Sequence, residues 1–304
     1  MATINRAAFA KQMVPGLNKI FGDSYREHDK EHKLIFTVET SDQAFEEDVL
    51  VQGFGQAVVK SEGASTTYDR MKELWTSRYD HEIISLGFII TREAMDDGKY
   101  GKLSRRGTKA LARSCADTKE TKAANILNRA FNSTYKGGDQ KELCATNHPL
   151  GGGGTWQNEP TTAADLNETS LEEALVDISE WTDERGLKVK LRGMRLIVPP
   201  QLVFTAERLL KSELRVGTGD NDINAMKSMG MLPQGWAANH WLTDPDAWFI
   251  KTDADQGLIC FNRVALETKS EPGFDNDVMK YKTYERYSFG WSDPRGVYGT
   301  PGAA

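Results

Sequence analysis

The sequence predicts an α+β fold, and three observations carry that expectation. A single apolar stripe recurs at helical spacing through residues 102–131. Strand-like stretches gather in two separate blocks, 49–90 and 247–291, where a doubly wound sheet would alternate strand with helix. Near the end, ERYSFGWSDPRGVYG sets Tyr287, Phe289 and Trp291 at every second position with Arg286, Ser288 and Gly290 between them. That is the pattern of a half-buried strand, and Asp293-Pro294-Arg295-Gly296 then suits a tight turn.

The elements follow in order. Residues 1–48 are weakly periodic, with Pro15, Gly16 and Gly22 as breakers, and read as an arm with a short helix near its start and no domain core. Residues 49–86 run from VLVQGFGQAVV through a polar tip, KSEGAST, and return through Leu74, Trp75 and Tyr79 to IISLGFIIT, which reads as one long hairpin. Its middle has too few apolar residues to fold alone. Leu103, Gly107, Leu111, Cys115, Ile126 and Ala130 fall on the stripe of the long helix, which would run ~45 Å at 1.5 Å per residue. Gly137-Gly138 and Gly151 to Gly154 read as a mobile linker after it. Thr169-Ser170-Leu171-Glu172 reads as a capping box that starts a helix stopped by Gly186. Met194 to Val198 is a strand, Pro199-Pro200 opens a helix through Leu209, and GTGDND at 217–222 is a polar loop. Ala247 to Ile250, Leu258 to Leu266 and Met279 to Trp291 are strands.

Composition excludes several classes. With 39% hydrophobic residues in 304, the chain can bury a sizeable core. It holds no signal-peptide core and no uncharged apolar run near the ~20 residues that span a membrane, so a soluble, intracellular protein is expected. Cys115, Cys144 and Cys260 are widely spaced and odd in number, and read as buried thiols. The net charge of −6 hides segregation: five acidic residues and no basic one lie between Glu39 and Asp48, and ten basic against two acidic lie between Lys99 and Lys136. Residues 137–187 reverse this, with two basic against eleven acidic. Blocks of opposite potential suit a chain that meets other copies of itself, with Glu39 to Asp48 against the basic segment of the same or an adjacent subunit.

Catalytic motifs are weak. His28 and His32 lie four apart, as do Cys144 and His148, but neither pair has a second pair at zinc-site spacing. Gly151 to Gly154 lacks the Lys-Ser/Thr of a phosphate loop. Asp253-x-Asp255-x-Gly257 lacks the later Glu of a calcium loop and reads as a turn. His81 and His240 are the candidate bases of a hydrolase or metal enzyme, but no Ser or Cys stands in a nucleophile-elbow context. No catalytic, cofactor or metal residue is assigned.

The element order, together with YDRMKELWTSRYDHEIISLGFIITREAMDD at 68–97, WLTDPDAWFI at 241–250 and ERYSFGWSDPRGVYG, resembles the major capsid proteins of tailed bacteriophages over essentially the whole chain. The resemblance implies a Hong Kong 97-type capsid fold: an N-terminal arm at 1–48, an extended loop at 49–86, a peripheral domain at 87–164 with a spine helix near 102–131, an axial domain at 165–250, and strands at 251–304 returning to the peripheral domain. It implies a virion protein, assembled in the host bacterial cytoplasm into hexamers and pentamers around double-stranded DNA. The partners it implies are further copies, a scaffolding protein and portal, in some members a decoration protein, and no membrane. DNA contact would be sequence-independent and confined to basic patches such as the spine helix. Inter-subunit contacts are expected at Glu46, Glu47, Asp48, Lys60, Glu62, Trp75, Arg78 and Tyr79. Some members carry a removable N-terminal scaffolding segment; with about 45 residues before the loop, either scaffolding is a separate protein or the chain is the mature form. Some members cross-link Lys to Asn; Lys60 lies near the loop tip, but no Asn partner is legible and cross-linking is not predicted. An encapsulin-type bacterial compartment shares the architecture, and the His81 or His240 enzyme is the alternative from another class.

Overall fold

A computed structural model of the chain describes residues 6–91, 93, 100–214, 223–273 and 278–303. The polar loop expected at 217–222 lies outside the described residues. The first helix, α1 (Arg6–Glu27), and a single turn, α2 (His32–Ile35), lead into β1 (Thr37–Thr40). A hairpin of β2 (Phe45–Gln52) and β3 (Lys72–Asp80) follows, then β4 (Glu82–Ile90) and the long helix α3 (Tyr100–Asn128).

Beyond α3 come the short pair β5 (His148–Pro149) and β6 (Thr155–Trp156), helix α4 (Glu168–Glu180), β7 (Gly193–Val198), α5 (Val203–Lys211), α6 (Ala225–Met229) and β8 (Trp236–Ala238). The chain finishes with β9 (Trp248–Thr252), β10 (Leu258–Gly273), β11 (Val278–Trp291) and β12 (Val297–Thr300). Two four-stranded sheets organise these elements, ordered β1-β10-β11-β4 and β12-β9-β7-β8.

The first sheet carries α3 on one face. Tyr287 is buried with the Lys119 ammonium 4.4 Å from its ring centroid, and Phe289 and Trp291 pack on a core holding Leu127 with Ile126 at its edge. Leu127 and Ile126 of α3 thus face the aromatic end of β11. Leu111 instead joins Tyr281, six residues before Tyr287 on the same strand face.

The arm departs from expectation. Pro15, Gly16 and Gly22 all lie inside α1, whose Leu17 and Phe21 are buried against Leu111, Ala112 and Cys115 of α3. Ile35 and Phe36 are buried beside Leu127 and Phe249, and β1 pairs in parallel with β10, Thr37 opposite Ile259. Packing on the long helix outweighs the cost of an interior proline and two glycines, so the arm is a wall of the core.

The hairpin is also shifted. Its strands are 45–52 and 72–80, with Phe45 opposite Asp80, whereas IISLGFII turns away after His81 and pairs with β11, Glu82 opposite Tyr287. Residues 87–90, expected outside the loop, and 82–86, expected within it, thus form one strand of the main sheet. Gly151 to Gly154 is no free linker but the turn between β5 and β6, with Gly153 and Gly154 at φ of 97° and 96°. Gly151 presses on Leu74 of β3 so closely that a Cβ would lie 2.6 Å from its methyl carbon.

Helix α4 begins two residues earlier than its expected box. Asn167 is the cap, its side chain accepting from Ser170 N at 2.9 Å while Ser170 Oγ accepts from Asn167 N at 3.0 Å. The helix ends at Glu180, and Gly186 serves the turn after it. Leu171, Ala174, Leu175 and Ile178 bury against Leu196, Trp248 and Ile250 of the second sheet. The C-terminal segment splits: β10 and β11 lie in the sheet under α3, but β12 pairs with β9 in the second sheet, Val297 opposite Lys251. The final strand therefore staples the second lobe, a correction to its expected return to the first.

Candidate assembly surfaces

Between Gln52 and Lys72 the chain has no strand, and almost every side chain is exposed. Phe54, Val58, Val59, Tyr68 and Met71 are uncovered, Val59 fully and Tyr68 to 91%. Apolar surface of this kind is costly to leave in water, at ~25 cal/mol per Å². Lys60 and Glu62, on the polar tip, are exposed between these residues.

The loop is pinned at its base to its own chain. Asp69 accepts from Gly55 N at 2.9 Å and Arg70 N at 2.8 Å, and meets the Arg185 guanidinium at 2.8 Å. Those backbone bonds, with Arg185 adding to them, hold the Asp69 carboxyl below its ordinary value. Nothing in the local sequence relates residues 69 and 185; only the fold brings them together. Gln52 donates to Glu184 O at 3.2 Å, and Glu184 itself is buried against Arg295 at 2.9 Å.

The remaining expected contact residues divide. Glu47 meets Arg78 across the hairpin at 3.5 Å, Arg78 also reaches Asp80 at 3.0 Å and lies 3.9 Å over the Phe45 ring, and Asp48 accepts from Gln256 at 3.0 Å. Glu46 and Trp75 are half-buried, Trp75 with its indole nitrogen unpartnered. Tyr79 is different: it is 3% exposed, bonds Ser292 at 2.6 Å and stands edge-on to Phe261. It belongs to the hairpin's root in its own subunit, because strand alternation turns it inward.

Four of the five histidines hydrogen-bond side chains of their own subunit. His81 is buried, with Nε2 3.0 Å from Ser41 Oγ and Nδ1 3.0 Å from Ser288 Oγ, so no carboxylate orients it. Burial first, then the Arg286 charge, lowers its pKa. His240 is exposed beside Glu31 in a cleft of about 330 Å³ bordered by Glu27, His28, Asp29 and Asp117, with no Ser, Thr or Cys in its lining. His32 is buried on Glu120 of α3, and His148 on Asp139 at 2.6 Å and Asn158 at 3.0 Å. In each four-residue pair the second member, a histidine, is thus held by a carboxylate. Among the described residues no group of three or more His, Cys, Asp or Glu is placed to hold a metal ion. Cys115, Cys144 and Cys260 are all free and buried, as expected.

A family model described as phage capsid protein matches residues 76–300. The chain belongs to the phage capsid protein family. Among curated proteins no match was found. Solved structures with the same fold as this capsid protein include a virus-like particle from Pyrococcus furiosus, 10% identical, with a TM-score of 0.55 over 93% of this chain and 97% of that one. The procapsid of bacteriophage JBD30 is 12% identical, with a TM-score of 0.51 over 96% of this chain and 75% of the other. The capsid of the native GTA particle is 13% identical, with a TM-score of 0.51 over 91% and 92%. The fold of this capsid protein is accordingly α+β of the Hong Kong 97 type, as its sequence led us to expect. Among the described residues no helix is long and apolar enough to cross a membrane.

Proposed function

We infer that the protein is the major subunit of an icosahedral phage head, built from hexamers and pentamers of itself, that encloses double-stranded DNA and performs no catalysis. Membership in a capsid family supports a shell protein of the virion. The observation that carries the finer reading is the uncovered loop at 53–71, whose Phe54, Val59 and Tyr68 find no core in their own subunit. Seated on a neighbouring copy, these side chains would leave water while the loop orders. Glu46, Glu47, Asp48, Lys60, Glu62, Trp75 and Arg78 border that contact; Tyr79 supports it from beneath. Assembly in the host cytoplasm, with a scaffolding protein, a portal and in some heads a decoration protein, completes the reading.

Limited proteolysis tests it. Residues 53–71 should be cut readily in free subunits and protected in assembled particles, and equal susceptibility in both states would count against the loop as an assembly element. A second reading, an encapsulin-type compartment without a genome, is supported by the likeness to a virus-like particle. Particles that carry DNA favour the head; particles that carry protein cargo favour the compartment.

A further inference from the structure

The cations of α3 fall into two groups. In the C-terminal half they are spent inside the subunit: Lys119 donates to Asn262 Oδ1 at 3.1 Å and to Glu285 at 3.4 Å, and Lys122 pairs with Glu82. In the N-terminal half, Arg105, Arg106, Lys109 and Arg113 are exposed, and none makes a hydrogen bond or ion pair among the described residues. At 3.6 residues per turn, these four fall within an arc of about 100° and along about 12 Å of helix.

No carboxylate interrupts them. From Tyr100 to Ala116 the helix has neither Asp nor Glu, and the first, Asp117, accepts from the Trp241 indole at 2.9 Å. Arg113 marks the far end of the strip, where it borders the cleft lined by Glu27, Asp29, Glu31, Asp117 and Glu120. A protein of net charge −6 thus presents, at Arg105, Arg106 and Lys109, a concentrated positive face with no ion pair among the described residues.

We propose that Arg105, Arg106 and Lys109, with Arg113 at the far end, form a sequence-independent docking strip for the phosphate backbone of double-stranded DNA. The proposal rests on the reading of the chain as a shell subunit around a genome. Duplex DNA carries one negative charge per ~1.7 Å of axis, so a 12 Å strip always faces several phosphates whatever the base sequence. Three of the four side chains are arginine, whose planar fork binds phosphate with two parallel hydrogen bonds. An acidic segment of a second copy fits less well, because the exposed strip includes only Ala110 as an apolar residue. Protein interfaces keep an apolar, charge-poor centre that this face lacks.

The test is the salt dependence of binding between the full-length subunit and a short mixed-sequence duplex, with shell formation scored in parallel by electron microscopy. Each phosphate neutralised contributes about −0.9 to the slope of log K against log salt concentration. R105Q/R106Q/K109Q should make that slope shallower by roughly 2 to 3 and still form shells, and R105K/R106K should retain it. An unchanged slope in the triple variant overturns the strip. An unchanged slope with loss of shells assigns the face to a second copy and overturns it equally. Absence of shells from the unmodified chain is a separate failure, of the shell reading, and leaves the slope to judge the strip.

Discussion

The ring of Phe289 stands edge-on to that of Phe36, their centroids 5.0 Å apart and their planes inclined by 69°. Through this contact β11 and the N-terminal arm share one core, beneath α3. Phe289→Ala removes the ring from a half-buried position and should cost about 3 kcal/mol, a large share of the ~5 to 15 kcal/mol that holds a domain together. Thermal melting of the free subunit should therefore drop, with aggregation before any shell forms. A soluble subunit melting at the unmutated temperature and failing only on assembly would place Phe289 at an interface instead.

Arg295 and Glu184 are 4% and 5% exposed and 2.9 Å apart, and Arg295 also lies 4.4 Å from the Trp156 ring centroid and donates to Thr182 O. Removing one partner leaves an uncompensated buried charge, so Arg295→Met should destabilise by about 3 to 5 kcal/mol. Replacing both, with Glu184→Leu added, should recover much of that loss in urea melts. A double variant no more stable than Arg295→Met would show that the pair is not the source of the cost.

Burial, with the Glu142 charge adding to it and His148 opposing, pushes the Glu159 carboxyl up to about 7. A carboxyl raised in the fold binds its proton more tightly folded than unfolded, so its stabilising contribution is complete below the unfolded value near 4.5 and is lost as pH rises towards 7. Glu159→Gln should flatten stability over that window and melt higher than the unmutated subunit at pH ~8. Parallel pH profiles for the two proteins would refute this assignment.

Among the described residues the acidic stretch reaches Arg78 and Gln256 and no cation of the long helix, which leaves its attraction to the basic segment to a contact between copies. Lys136 is an exposed cation of that segment open to such a contact. Neutralising Glu46, Glu47 and Asp48 together should slow assembly at low salt and leave it less salt-sensitive, since exposed pairs are worth ~0.2 to 1 kcal/mol each and are screened. Light-scattering rates identical to the unmutated chain at every salt concentration would exclude the contact.

What could be read in advance depended on whether the signal was local. The aromatic alternation at 287–291 and the long apolar stripe state their own period, and both elements stand where they were expected. The arm did not announce its helix, because α1 contains Pro15 and two glycines and owes its burial to Leu111 and Cys115 far along the chain. In the hairpin, IISLGFII looks like any apolar strand, and its pairing with β11 in preference to β2 is a tertiary choice; the polar break Asp80-His81-Glu82 was the one local mark of the boundary. Tyr79 was misplaced for the same reason: a side chain's face follows from register, which sequence alone did not set. The Asp69–Arg185 clasp needed the two lobes to be in place first.

Electron microscopy of the purified, full-length protein tests the central claim most directly. The account predicts closed shells of uniform diameter with five-fold and six-fold clusters of one subunit, and density for residues 53–71 lying across the adjacent copy. A protein that stays monomeric under every assembly condition, or shells in which that loop folds back on its own subunit, would contradict it.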